Sequence, residues 1–191
     1  MRYLASLIAL PMAALAVPAS AQVLDAVSQR LEMIGDAPAA CVIGQPVATN
    51  AVNASFSVNS IASGTIGISD FVDLQTGETR ASSIELTFPV TCNASHRVTL
   101  RSGNGGMLRA GSSASASNPG QGFLEFVTYQ LQLGWDGQNL QLPSSDGGGA
   151  IPAARASTVE LLLRVDTPDG SGPLVAGQYD DSIVIEFQAS I

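Results

Sequence analysis

Hydrophobic and polar residues alternate with a period of two along most of the chain after residue 54. The clearest run places Ile84, Leu86, Phe88, Val90 and Cys92 on one parity, with mostly polar residues between them. Similar runs lie at 54–58, 96–101, 127–135, 159–165 and 179–191. Because successive side chains of a strand point to opposite faces, each run predicts a strand with one buried face and one wet face.

Turn-forming residues separate these runs. Residues 102–122 are nearly all Gly, Ser, Ala and Asn, and residues 136–150 and 169–173 are also rich in Gly, Asp and Ser. These stretches are interpreted as loops. Short strands punctuated in this way predict an all-β domain, an immunoglobulin-like β-sandwich of about seven strands. Pro89 lies on the outward parity of its run, which indicates an edge strand or a bulge.

Residues 1–21 have the pattern of a secretory signal peptide. Arg2 precedes an apolar run over 4–17, and Ala19-Ser20-Ala21 supplies the small residues that signal peptidase reads. The run is shorter than the roughly 20 apolar residues of a membrane span, and no later stretch reaches that length. We therefore expect cleavage before Gln22, no membrane insertion afterwards, and a protein that crosses the periplasm to the cell surface or the medium.

The composition narrows the function further. The chain is 46% hydrophobic and 13% charged, which is too apolar for a disordered protein. It contains no lysine, its eight arginines are scattered, and its formal net charge is −8. Nucleic acids and anionic lipids are bound through basic surfaces, so we expect neither as a partner.

Cys41 and Cys92 are the two cysteines. In an exported chain two cysteines indicate one disulfide, here closing a loop worth roughly 4 kcal/mol on the loop-entropy model. The alternatives are a metal pair or free thiols, and a metal pair lacks ligands because the chain has one histidine. We expect the bond to join the start of the first strand of a domain over 41–191 to a middle strand.

Residues 22–40 form a separate N-terminal extension. Val23, Val27 and Leu31 fit a helical stripe, and together with Met33 they also share one parity of a strand. Periodicity does not decide between these two conformations. The segment is amphipathic in both, and Pro38 ends either element before the first cysteine.

Several motifs resemble one known family in order and spacing. They are Cys41–Gly44, Phe88–Asn93, His96–Leu100, the Ser-Gly-Asn-Gly-Gly loop at 102–106 and Ala176–Ile185 with its Gly-x-Tyr-x-Asp turn. Together they resemble the spore coat protein U-like domain family, which is related to the pilins of archaic chaperone–usher fimbriae. The likeness covers most of residues 41–191.

The resemblance implies a sandwich that lacks its final strand and leaves an apolar groove. A periplasmic chaperone would fill that groove first, and at an outer-membrane usher the N-terminal extension of another pilin-like subunit would replace it by β-augmentation. In this chain the donor side chains would be Val23, Val27, Leu31 and Met33. The acceptor groove would be lined by Ile183, Ile185 and Phe187 of the last strand and by a facing strand.

Other functions need residues that the sequence lacks or explains otherwise. A Ser-His-Asp site would have to use His96, no Gly-x-Ser-x-Gly elbow is present, and the absence of lysine removes Schiff-base chemistry. Asp166, Asp169, Asp180 and Asp181 fit turns better than a calcium loop. We expect no catalysis, metal or cofactor. The runner-up is a self-contained binding module of the same fold, and the third class is a secreted hydrolase.

Overall fold

The computed structural model describes residues 30–189, so the predicted signal peptide, Val23 and Val27 lie outside the described residues. The chain divides into two units, 1–36 and 37–191. Of the first unit, residues 30–36 are described, and they are exposed and have no regular secondary structure. Over 30–189, no helix is long and apolar enough to cross a membrane.

The second unit is all-β, and its sheets are antiparallel. A single short 3-10 turn occurs in the described part, at Ser144–Asp146. The strands are β1 (Cys41–Ile43), β2 (Val47–Val52), β3 (Ala54–Ser60), β4 (Ser63–Ile68), β5 (Ser82–Cys92), β6 (His96–Ser102), β7 (Met107–Arg109), β8 (Phe126–Val127), β9 (Gln130–Trp135), β10 (Gln138–Pro143), β11 (Gly149–Ala153), β12 (Ser157–Thr167), β13 (Tyr179–Asp180) and β14 (Ile183–Ala189).

Two main sheets enclose one core. The larger sheet has the order β1-β5-β12-β9-β10, and β2 pairs with β5 beyond the end of β1. The smaller sheet has the order β11-β6-β14. Inward side chains of both sheets share one buried cluster, in which Leu86 and Leu163 come from the larger sheet and Val98 and Leu100 from the smaller. The arrangement is sandwich-like, as the alternation predicts.

Two smaller elements complete the fold. Strands β3 and β4 form a two-stranded hairpin over Ala54–Ile68, which we call the hairpin. Strands β13, β7 and β8 form a short sheet. Phe56 and Ile66 of the hairpin pack against the core while remaining half-exposed.

The disulfide predicted from the sequence is present. Cys41 and Cys92 are bonded, and they are directly opposite each other on the neighbouring strands β1 and β5. The bond therefore fixes the register of two strands within one sheet. Cys92 is 1% exposed and belongs to the core.

The alternation missed or merged some strands. The run 127–135 divides at residues 128–129, where the Tyr129 amide donates to Ser144 Oγ at 3.0 Å. The run 179–191 divides at 181–182, between β13 and β14. The predicted loops at 102–122 and 136–150 contain β7, β10 and the start of β11. Asp136-Gly137 forms the tight turn of the β9–β10 hairpin, with positive φ at both residues.

The prediction that Pro89 marks an edge strand is wrong, but Pro89 does lie at an irregularity, where three residues between the Ile43–Val90 and Val47–Thr87 pairs face two residues of β5. Strand β5 lies inside the larger sheet, with β12 on one side and β1 and β2 on the other. The Pro89 carbonyl accepts the Gly44 N–H at 2.7 Å. Because N–H and C=O of one strand residue point to the same side, the missing N–H of Pro89 faces the gap between β1 and β2 and costs no bond to β12.

Candidate functional site

An open apolar groove of about 710 Å³ lies between the two main sheets. Its floor is formed by inward side chains of β5 and β12, its sides by the hairpin and the first part of β14, and one end by the last residue of β1 and the residues that follow it. Residues at the floor include Ile84, Leu86, Leu161 and Leu163. The floor side chains are themselves buried, and the accessible apolar surface of the groove lies at its sides, where Ile43 is 36% and Ile61 is 71% exposed.

The exposure of β1 and β2 shows where the sandwich is open. Ile43 is opposite Val90, yet Ile43 is 36% exposed and Val90 is 2% exposed. Ala48 is likewise exposed although its partner on β5, Leu86, is buried. Paired residues point to the same face of a sheet, so these side chains face inward, and the described chain leaves them exposed.

Strand β14 borders the groove with a free edge. Among residues 30–189 it pairs with β6 alone. The Gly103 N–H donates to the Ser182 carbonyl at 2.7 Å. Hydrogen-bonded and non-hydrogen-bonded pairs alternate from that bond, so the N–H and C=O groups of Ile183, Ile185 and Phe187 point away from β6. A free edge of this kind is a template for another strand.

The predicted acceptor residues divide into two groups. Ile183 and Ile185 line the groove. Phe187 is half-buried beyond it, where its ring lies 5.3 Å from the Trp135 ring and 6.1 Å from the His96 ring. The facing strand that the sequence left unnamed is supplied by β5 and β12 at the floor.

Sequence reasoning missed the hairpin as a wall of the groove. Phe56, Ile61 and Ile66 line it, and of these only Phe56 belonged to a predicted strand. The signal that was available is the short alternation of Thr65-Ile66-Gly67-Ile68, which is too brief to predict a strand unaided.

Asp181 is the one charged residue among the described residues that line the groove. Its carboxylate accepts hydrogen bonds from the hydroxyls of Ser102 and Tyr129, the latter at 2.7 Å, and from the amide of Asn104 at 2.8 Å. These donors stabilise the carboxylate, so its hydrogen bonds are made within the domain and not to a ligand in the groove. The network fixes the turn that leads into β14.

Burial is the main cause that raises the pKa of the Tyr129 hydroxyl well above its usual value, and the nearby Asp181 carboxylate raises it further. Burial likewise raises the pKa of Tyr179, whose hydroxyl donates to the Leu124 carbonyl at 2.7 Å. In the same short sheet, hydrogen bonds from Arg109 and Ser112 lower the pKa of the Glu125 carboxyl. These contacts tie β7 and β13 to the residues just before β8.

The donor residues predicted from the sequence are described in part. Leu31 is 84% exposed and Met33 is 98% exposed, and residues 30–40 are neither helix nor strand. An amphipathic segment gains its structure from packing its apolar side, and these side chains have no such packing here. Val23 and Val27 lie outside the described residues.

The residues weighed for catalysis and metal binding have structural contacts. His96 is 2% exposed, its Nδ1 lies 3.0 Å from the Ala94 carbonyl oxygen, and its Nε2 accepts the Trp135 indole N–H at 2.9 Å. The two bonds require the neutral tautomer with its proton on Nδ1. Sγ atoms of both cysteines lie near this ring, but the disulfide removes them as thiolate ligands.

The acidic candidates do not form one cluster. Asp166 pairs with Arg164 at 2.8 Å, and Asp169 accepts the Ala81 amide at 3.1 Å. Asp180 is exposed on β13. Asp166 and Asp169 thus have structural contacts of the kind expected for turn and strand residues.

No protein-family model, curated protein or solved structure matches the chain.

Proposed function

We propose that this chain is a pilin-like structural subunit of a secreted surface fimbria or coat. Residues 22–36 of one copy would enter the groove of another copy as an added strand, running along β14. The domain would then be an immunoglobulin-like sandwich whose final strand comes from a neighbour. The observation that carries the proposal is the apolar groove bordered by the free edge of β14.

The groove has the chemistry of a strand-binding site. Ile183 and Ile185 present side chains to it, and their N–H and C=O groups face the free edge. An added strand would satisfy these backbone groups and cover the exposed side chains of Ile43 and Ile61. Main-chain bonds provide affinity in such pairing, and alternate side chains provide specificity.

The N-terminal extension has a suitable length and composition. Residues 22–36 would span about 50 Å when extended, and the seven residues of β14 span about 23 Å, at about 3.3 Å per residue. Val23, Val27, Leu31 and Met33 share one parity, and each buried side chain contributes about 1.5–3 kcal/mol. The extension is therefore long enough to pair with all of β14 and still link two domains.

The partners follow from the exposed groove. A folded monomer with such an edge would aggregate during export, so the proposal requires a periplasmic chaperone as a temporary occupant and an outer-membrane usher as the assembly site. Other pilin-like subunits are the final occupants. The mature assembly would lie on the cell surface or in the medium and would serve adhesion or biofilm formation.

Polymerisation is the direct test. The mature chain starting at Gln22 should form oligomers that survive mild denaturant. Gel filtration and light scattering measure the oligomeric state. Deleting residues 22–36 should give a chain that does not polymerise and that incorporates only at one end of an assembly. A matched control replaces Arg30 and Glu32, on the opposite parity of the same segment, with Ser, and it should polymerise.

The alternative function is a self-contained binding module of the same fold. A full-length chain that stays monomeric at high concentration and unfolds reversibly without a partner would contradict the polymer proposal. The large open groove would then be its ligand site.

A further inference from the structure

We infer that strand β4 of the hairpin supplies a second pairing edge, so that the incoming strand is hydrogen-bonded by β14 on one side and by β4 on the other. The inference rests on the proposed function, because its occupant is the segment 22–36 of another copy. It adds a residue-level assignment of the second edge.

The evidence begins with the way β4 lines the groove. Residues 61–66 all line it in succession, and Ile68 follows. A strand that presents a face to a groove contributes alternate side chains, whereas a strand that presents its edge contributes consecutive residues. Gly64 has no side chain, so its lining atoms are backbone atoms. Strand β4 therefore turns its edge toward the groove.

The hydrogen bonds of the hairpin show which backbone groups are free. The Ser69 N–H donates to the Asn53 carbonyl at 3.2 Å, directly beyond the Ala54–Ile68 pair. Hydrogen-bonded and non-hydrogen-bonded pairs alternate along the hairpin from that bond. The N–H and C=O groups of Thr65 and Gly67 therefore point toward β3, and those of Gly64, Ile66 and Ile68 point away from it. Over the described residues β4 pairs with β3 alone, so this second set is available to another strand.

The other candidate for the second edge is the segment from β1 to β2, and it offers less. Of that segment only Ile43, Gly44 and Pro46 line the groove. The Gly44 N–H is already donated to the Pro89 carbonyl, and Pro46 has no N–H. No residue of β2 lines the groove. Strand β4 thus provides the longer row of free groups.

The position of the hairpin wall depends on Gly64. A Cβ at this residue would lie 2.4 Å from the Phe56 ring, which is a clash. Phe56 itself packs against the core from the hairpin. Because Gly64 has no side chain, the Phe56 ring can lie across the hairpin at this point. This packing holds β4 beside the groove.

Residue-resolved amide hydrogen exchange tests the inference on the monomeric fraction of the full chain. The probe is a synthetic peptide with the sequence of residues 22–36, and the control peptide carries Asp at the positions of Leu31 and Met33. Binding of the probe should slow exchange at least about tenfold at Gly64, Ile66 and Ile68, and also at Ile183 and Ile185. Thr65 and Gly67, already bonded to β3, should not change.

Each result separates the inference from the proposed function. Protection of the β14 amides without the β4 amides overturns the second edge and leaves the proposed function standing. Protection of neither overturns both. If the β4 amides are protected before any peptide is added, the hairpin closes the groove by itself and the inference is wrong.

A pair of surface variants gives an independent measurement. Ile61 and Leu74 are exposed by 71% and 98%, and only Ile61 lines the groove. Ile61→Asp should weaken binding of the probe peptide at least about tenfold, because a charge beside the occupant loses solvation. Leu74→Asp should leave binding unchanged. Equal binding by the two variants would contradict a role for the hairpin.

Discussion

Ile43 and Val90 are opposite each other on β1 and β5 and point to the same face of the larger sheet, yet one is 36% exposed and the other 2%. A core position that remains open on one strand and is closed on the next marks the border of the covered part of the sandwich. The border coincides with the groove, which Ile43 lines and Val90 does not.

The first prediction uses Ile43 and its neighbour Val42. Val42 is 67% exposed and points to the opposite face of β1. Ile43→Asp should abolish oligomer formation, because the incoming strand would have to bury an unpaired carboxylate. Val42→Asp should assemble normally. Light scattering on the two variants, both confirmed as folded by circular dichroism, measures the difference. Loss of assembly in both would show that charge on β1, and not the groove, is responsible.

The strands that the sequence predicted well are those with one buried face. Strands β5 and β12 are eleven residues long each, and alternation marks most of β5 and the second half of β12, which face the core on one side. Strand β2 escaped prediction since all six of its residues are exposed, including the inward ones at the open side. Because neither face of β2 is buried in the described chain, its sequence shows no alternation of hydrophobic and polar residues.

The groove was predictable only in part. The parity of Ile183 and Ile185 follows from the last run, and the structure places both along the groove. Phe187 has the same parity, but Trp135 and His96 fill the space at its end of the strand. The hairpin wall depends on a tertiary contact between Phe56 and the core, and a pattern of single residues does not encode which hairpin folds over which edge.

The second prediction concerns the disulfide. Cys41 and Cys92 are separated by 51 positions, and removing the bond should lower the free energy of unfolding by about 4 kcal/mol on the loop-entropy model. The measurement is urea unfolding of the Cys41→Ala/Cys92→Ala double variant beside the parent chain with and without reductant. The double substitution and the reduction of the parent chain should lower the free energy of unfolding by similar amounts. A midpoint that does not move on reduction would contradict the expectation.

The third prediction concerns the hydrogen bond from Trp135 to His96. His96→Leu leaves the buried indole N–H without an acceptor and should cost about 1–3 kcal/mol of unfolding free energy. Trp135→Phe in that background removes the orphan donor, so a double-mutant cycle should show favourable coupling between the two residues. Purely additive losses would mean that the pair packs without a significant hydrogen bond.

The same variant tests the hydrolase alternative. Because both ring nitrogens of His96 are engaged inside the core, His96→Leu should change stability and leave assembly of the folded chain intact. A hydrolytic activity present in the parent chain and lost in folded His96→Leu would favour the enzyme instead.

The last prediction is a loss of stability at alkaline pH. Burial raises the pKa of Tyr129 and of Tyr179 in the folded chain. A group with a raised folded pKa stabilises the fold fully below its unfolded pKa, about 10 for tyrosine, and this contribution is lost as pH rises through the folded pKa. Above about pH 10, Tyr129 should therefore reduce the free energy of unfolding by up to about 1.4 kcal/mol per pH unit. Urea unfolding at pH 8, 10 and 11, with tyrosinate absorbance at 295 nm as a second signal, measures it.

Tyr129→Phe separates this titration from general alkaline damage. The variant loses the 2.7 Å bond to Asp181 and should be less stable at pH 8 by about 1.5–3 kcal/mol, the range for a hydrogen bond to a charged group. Its stability should then fall less steeply above pH 10 than that of the parent chain, because one of the two shifted hydroxyls is gone. Tyr179→Phe is the matched control, and it should keep the Tyr129 part of the slope. If Tyr129→Phe falls as steeply as the parent chain, the buried hydroxyl is not the group that couples folding to alkaline pH.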